Sequence, residues 1–235
     1  MIYKQIAEEA MPLLRNAKIL DYIFGLSYIA VKTDLGTGVA YTYRNALDGC
    51  VRFTENDMRG YKAATVAEKY FSDNLFEAGL GLAVINSALN NKLSTREDFL
   101  KPENFQNKKV GMVGYFRPML KWFAKAGAEL KIFELKDIEG TYKPEQAPEI
   151  MPECDIVIIT GVTLINKTLH TYTPYINKDA IKILMGPTVT MSNYLLSQGF
   201  LLGGTKINNF DKLFHCLARG LSSKDFDGSA EKVWL

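Results

Sequence analysis

The stretch KKVGMVGYFRPML, Lys108 to Leu120, decides the fold. A short apolar run ends in Gly-x-x-Gly at Gly111 and Gly114, and Arg117-Pro118 then opens a helix over Pro118 to Ala126 that stops at Gly127. Proline suits a first helical turn and glycine a helix end. Two later apolar runs also end in small, polar residues: IVIITGVTLIN (Ile156 to Asn166) and IKILMGPTVTMSN (Ile181 to Asn193). Strands ending this way build one crevice at the carboxyl edge of a parallel sheet, where open α/β proteins bind ligands.

Around these runs strand and helix alternate. Strands are expected at Val110–Gly114, Leu130–Leu135, Ile156–Thr160, Ile181–Met185 and from Phe200. Between them lie a proline-rich broken segment (Thr141 to Pro152), a helix starting at Thr163, a helix over Ser192 to Gln198 and one over Phe210 to Leu217. Such alternation predicts a parallel sheet with helical crossovers.

The first part of the chain differs. Ile2 to Asn16 has helical spacing, with Ile2, Ile6, Ala10, Leu13 and Leu14 on one face. Asp21 to Lys32 reads as a strand, Thr33 to Gly38 as a turn, and Val39 to Tyr43 as the returning strand. Asn45 to Asp57 reads as loop, and two helices are expected over Met58–Phe71 and Leu75–Leu89. The second is apolar nearly all round, contains Gly79 and Gly81, and carries Asn86 as its conspicuous polar residue. Asn86 reads as a core amide or as a polar finger into a cleft. Polar Asn90 to Asn107 is the linker. The expected domains are therefore 1–95, a small α+β unit, and 108–235, a Rossmann-like parallel-sheet unit, joined by 96–107.

Composition sets bounds on function. The 235 residues are 47% hydrophobic and 23% charged with a net charge of +2, ordinary globular values. No basic block argues for nucleic acid, and no apolar run reaches the roughly 18 residues of a membrane span. Cys50, Cys154 and Cys216 form no C-x-x-C pattern, which fits a reducing, cytoplasmic setting. The only histidines, His170 and His215, belong to no metalloprotease or nucleophile-elbow motif. No catalytic or metal-ligating set stands out, and a homodimer is left open.

The binding candidates lie on the strand-end loops. Gly111, Gly114, Phe116 and Arg117 form the first. Glu134 lies 23 positions after Gly111, near the spacing at which an acid meets a ribose hydroxyl. Thr160, Gly161, Thr163 and Asn166 form the second loop, and Gly186, Pro187 and Thr188 the third. Backbone N–H groups at the start of a helix, with Arg117, are suited to an anion.

EAGLGLAVINSALN (Glu77 to Asn90), VGMVGYFRPML, VIITGVTLINKTL (Val157 to Leu169), ILMGPTVTMSN and the trailing Gly199 to Gly204 resemble a bacterial and archaeal family labelled "putative heavy-metal chelation domain". The resemblance covers nearly the whole chain. It implies an N-terminal domain similar to the enolase N-terminal fold, a Rossmann-like domain after it, and a site between them. The matching positions are Asn86, Gly111, Gly114, Phe116, Arg117, Thr160, Gly161, Thr163, Asn166, Thr168, Gly186, Pro187, Thr188 and Met191. The implied function is handling of a metal chelate or another anionic small molecule. Two alternatives stand beside it: an enzyme using NAD or S-adenosylmethionine, and a non-catalytic sensor or assembly protein.

Overall fold

The computed structural model describes residues 2–47, 57–226 and 228–235. The chain opens with α1 (Ile2–Leu14), β1 (Ile19–Phe24), β2 (Tyr28–Thr33) and β3 (Thr37–Tyr41). These strands form an antiparallel sheet in the order β1-β2-β3. The single strand expected over Asp21 to Lys32 is thus two. Its unbroken β-forming composition hides a tight turn, in which Gly25 N donates to Tyr28 O at 3.0 Å. On α1, Leu13 is 50% exposed and Ala7 occupies the buried face instead. The polar stretch Asn45 to Asp57, with Cys50, falls largely outside the described residues.

The helix expected over Met58–Phe71 is shorter. Gly60 takes φ +85°, and α2 (Ala63–Ala67) runs into a 3₁₀ turn at Glu68–Phe71. Next, α3 (Leu75–Leu89) starts on Asn74, whose side chain accepts from Phe76 N and Glu77 N. Residues 78–87 of α3 are all buried. Its glycines have a packing reason: a Cβ on Gly81 would stand 2.1 Å from Tyr70 N. Gly38 on β3 is equally constrained, since its Cβ would stand 2.1 Å from Ala83 O on α3. The helix therefore packs backbone-close to both the sheet and the 3₁₀ turn.

The second sheet comprises β4 (Lys109–Val113), β5 (Glu129–Phe133), β6 (Ile156–Thr160), β7 (Ile181–Met185), β8 (Phe200–Ile207) and β9 (Ala230–Trp234). Their order is β5-β4-β6-β7-β8-β9. Five strands are parallel; β9 pairs antiparallel with β8. The interiors of β4 and β6 are wholly apolar and buried, as strands covered on both faces must be. The edge strand β9 lacks such a run, which is why the sequence gives no sign of it.

The intervening helices are short: α4 (Leu120–Lys125), α5 (Ala147–Ile150), α6 (Leu169–Tyr172), α7 (Asn193–Ser197) and α8 (Phe210–Ala218). The helices expected from Pro118 and from Thr163 open as 3₁₀ turns at Arg117–Met119 and Gly161–Leu164. One hydrophobic cluster unites both sheets, with Ile6, Leu14 and Leu80 joining Val113, Phe133 and Ile159. Between α3 and β4, Leu93 is 72% exposed but Phe105 is fully buried, so the end of this segment is docked on the second sheet.

Candidate functional site

Because β4 lies between β5 and β6, the chain leaves β4 first to one side and then to the other. Such a switch point holds the loops apart and opens a crevice at the strands' carboxyl ends. A cavity of about 520 Å³ lies there. Its lining is drawn from the loops after β4 (Gly114, Tyr115 and Arg117), β5 (Glu134 and Lys136 among others) and β6 (Thr160, Thr163, Asn166 and Thr168), with Tyr172 on α6 and with Tyr41 and Tyr43 from the end of β3.

The first loop is shaped by Gly114, which takes φ +94° and hands the chain from β4 into the turn. Thr160 folds the loop after β6: its side chain accepts from Val162 N at 3.3 Å, and Thr163 Oγ1 donates to Thr160 O at 2.7 Å. Glu134 holds the loops after β4 and β5 together. Its Oε2 accepts from Tyr115 N and its Oε1 from Lys136 N, each at 3.0 Å. Each oxygen retains a free lone pair.

The polar atoms form a directed chain. Thr168 Oγ1 donates to Asn166 Oδ1 at 2.7 Å. The Asn166 side chain also meets the Tyr43 hydroxyl. Burial raises the Tyr43 phenol to about 12, and burial followed by the charges of Glu134 and Glu145 does the same for Tyr172. Both are neutral donors near pH 7. Arg117 and Lys136 are exposed on the cavity rim. Neither has an ion-pair partner among the described residues.

Of the residues expected from sequence, Gly114, Arg117, Glu134, Thr160, Thr163 and Asn166 line this cavity. Phe116 packs with the cluster beneath β4. Gly111 lies inside β4, where a Cβ would meet Cys154 Sγ at 3.1 Å. Gly161 allows another backbone approach, its Cβ position being 2.6 Å from Val189 N. The third loop is occupied by the N-terminal half. Thr188 Oγ1 accepts from Tyr41 N at 3.0 Å, so Gly186, Pro187 and Thr188 do not border the cavity. Asn86 is fully buried and joins the same contact. Its Nδ2 donates to Val39 O at 2.8 Å and Thr188 O at 3.3 Å, while its Oδ1 accepts from Thr190 Oγ1 at 2.6 Å.

Arg117 does not stand at the positive end of a long helix. The turn after β4 is 3₁₀ and α4 has only six residues, so the side-chain charge itself faces the cavity rim. Tyr41, Tyr43, Lys136 and Tyr172 also line the cavity and were not singled out from the sequence. The Tyr-x-Tyr spacing at the end of β3 was the available signal, since alternate strand residues share a face.

The lining offers little to a bare soft metal. No group of three His, Cys, Asp or Glu side chains suited to an ion exists among the described residues. Neither histidine lines the cavity, and Cys154 and Cys216 are buried elsewhere, their thiols pushed up chiefly by burial. Thiolate and imidazole are what such metals select, so the residues present do not fit a resident metal. Among the described residues no helix is long and apolar enough to cross a membrane.

Three relatives match over the full length of this chain. An uncharacterized protein of Methanocaldococcus jannaschii is 27% identical, the match covering 100% of this chain and 98% of the relative. A crystal structure of a protein with unknown function from Desulfitobacterium hafniense superposes with a TM-score of 0.84 at 24% identity, covering 100% of this chain and 97% of that one. One from Pyrococcus horikoshii gives 0.82 at 24% identity, covering 100% and 99%. These two likenesses show the fold alone. Family matches cover residues 7–89 and 98–235, both described as "Putative heavy-metal chelation". The second spans more than half of the sequence, and the chain belongs to that family.

Proposed function

We propose that this protein binds a small anionic organic molecule in the cavity above β4, β5 and β6, and that a metal reaches it as the cargo of such a chelator. The observation that carries this reading is the pairing of two cations, Arg117 and Lys136, that have no ion-pair partner among the described residues, with an aromatic wall of Tyr41, Tyr43 and Tyr172. An organic acid fits both parts, the carboxylates meeting the cations and the carbon skeleton the rings. The volume falls within the usual range of about 300–1,000 Å³ for small-molecule sites. Cys154 and Cys216, both free and buried, support a cytoplasmic location.

The test is calorimetric titration with citrate, nickel citrate and free nickel ion. Citrate or its nickel complex should bind, and Arg117→Met should weaken binding by about tenfold or more, the worth of a charge-assisted hydrogen bond. The melting temperature should hardly change, because the Arg117 side chain is exposed. Free nickel binding as tightly as the complex, with no effect of the substitution, would reject the reading.

Glu134 supports a second reading. A carboxylate at the end of β5, beside Gly114, with one free lone pair on each oxygen can receive two ribose hydroxyls. Retention of NAD or S-adenosylmethionine through gentle purification, detected by native mass spectrometry, would favour a nucleotide ligand over an organic acid.

A further inference from the structure

Lys167 is a partly buried amine that the cavity does not use. It lies between the turn at Gly161–Leu164 and α6, with a backbone φ of +59°. For a residue with a side chain this left-handed conformation costs about 1 kcal/mol or more, and it persists only where the surroundings impose it. Here they do. Lys167 Nζ stands 3.4 Å from the centroid of the Tyr70 ring and 5.3 Å from that of Tyr3 on α1. It donates to Leu164 O at 3.1 Å. Tyr70 is itself fully buried, and its hydroxyl donates to the same carbonyl at 2.9 Å. On α6, His170 Nδ1 shares a hydrogen bond of 3.2 Å with the Tyr3 hydroxyl.

The titratable groups facing Nζ are therefore two phenols, with an imidazole behind one of them. Among the described residues Lys167 has no carboxylate partner. An ammonium buried without a counter-charge favours losing its proton. Burial accordingly pulls the Lys167 amine from 10.5 down to about 7. The Tyr70 ring opposes this in part by attracting the charged form. In the neutral amine the Leu164 carbonyl and the Tyr70 face take the two N–H bonds. The nitrogen keeps its lone pair at the remaining tetrahedral position.

We propose that Lys167 Nζ is a covalent site for carbonyl compounds, adding to an aldehyde or ketone carbon to give an imine. The nitrogen lone pair forms the new C–N bond. The carbonyl oxygen leaves as water with the two former N–H protons, and C=N replaces C=O. Nothing is oxidised or reduced. An amine desolvated among apolar groups is the form of lysine suited to this chemistry.

Formaldehyde is the probe, with cyanoborohydride trapping the imine as a methylamine and peptide mass spectrometry reading each lysine of the folded chain. A site with a pKa of about 7 has about half its amine neutral at pH 7, against roughly one part in three thousand for an ordinary lysine. Partial burial and lower basicity reduce that advantage, and Lys167 should still react about tenfold faster than exposed Lys178 at pH 7. The rate should rise with a midpoint near 7. A Lys167 no faster than Lys178 at pH 7, or a midpoint near the ordinary 10.5, would overturn the proposal.

Discussion

Replacing Asn86 by alanine separates a structural joint from a ligand contact. The carboxamide ties α3, which carries it, to β3 through Val39 O and to the chain after β7 through Thr188 O and Thr190 Oγ1. Its removal loses two good hydrogen bonds and one long one. A buried hydrogen bond contributes about 1 kcal/mol net, and a buried group left unpaired costs about 1–3 kcal/mol. Val39 O belongs to a buried strand residue and has no route to water, whereas the Thr190 hydroxyl can rotate. The expected loss is therefore about 3 kcal/mol. In urea, with a slope of about 3 kcal/mol/M for a chain of this size, the midpoint should fall by about 1 M. A double-mutant cycle with Thr190→Val should return a coupling of about 1 kcal/mol. If Asn86→Ala loses under about 1 kcal/mol while citrate affinity drops tenfold, Asn86 belongs to the site and this reasoning is wrong.

Other outcomes follow from the same contacts. Glu9 on α1 accepts from Ser192 Oγ at 2.5 Å and from Asn193 N at 2.9 Å, so Glu9→Ala should release α7 and lower stability by about 1–3 kcal/mol in urea melts. Gly161→Ala should destabilise the chain rather than simply narrow the cavity, because its Cβ meets backbone at Val189 N, 2.6 Å away; thermal melting checks this. The Lys69 ammonium, followed by the Ser72 hydroxyl, holds the Glu77 carboxyl below its ordinary 4.5. Its stabilisation is thus fully present above pH 4.5 and lost as pH falls through the lowered value, and Glu77→Gln should flatten that acid limb of stability against pH. We further propose that two domains are joined near Leu93 to Asn107. Brief proteolysis should then cut near exposed Leu93 well before the docked Phe105, and cleavage spread evenly along the segment would count against it.

Local sequence was enough for much of this architecture. The bounds of α3 and of β6 and β7 follow from continuous apolar composition and flanking turn residues, because burial on all sides needs no partner-specific pattern. Gly114 and Thr160 marked the crevice because a chain leaving a strand sharply needs such residues there. Tertiary structure decided the rest. The split of β1 from β2 lay hidden in one β-forming run, since propensity does not count strands. Antiparallel β9 takes its place from pairing with β8, a long-range contact that leaves little local trace. The site's membership was decided the same way. Three strand-end loops looked equivalent in sequence, yet Thr188 is held by Tyr41 and Asn86 while Glu134 and Lys136 line the cavity. Strand order determines which loops border the switch point, and that order is set by packing between segments far apart in the chain.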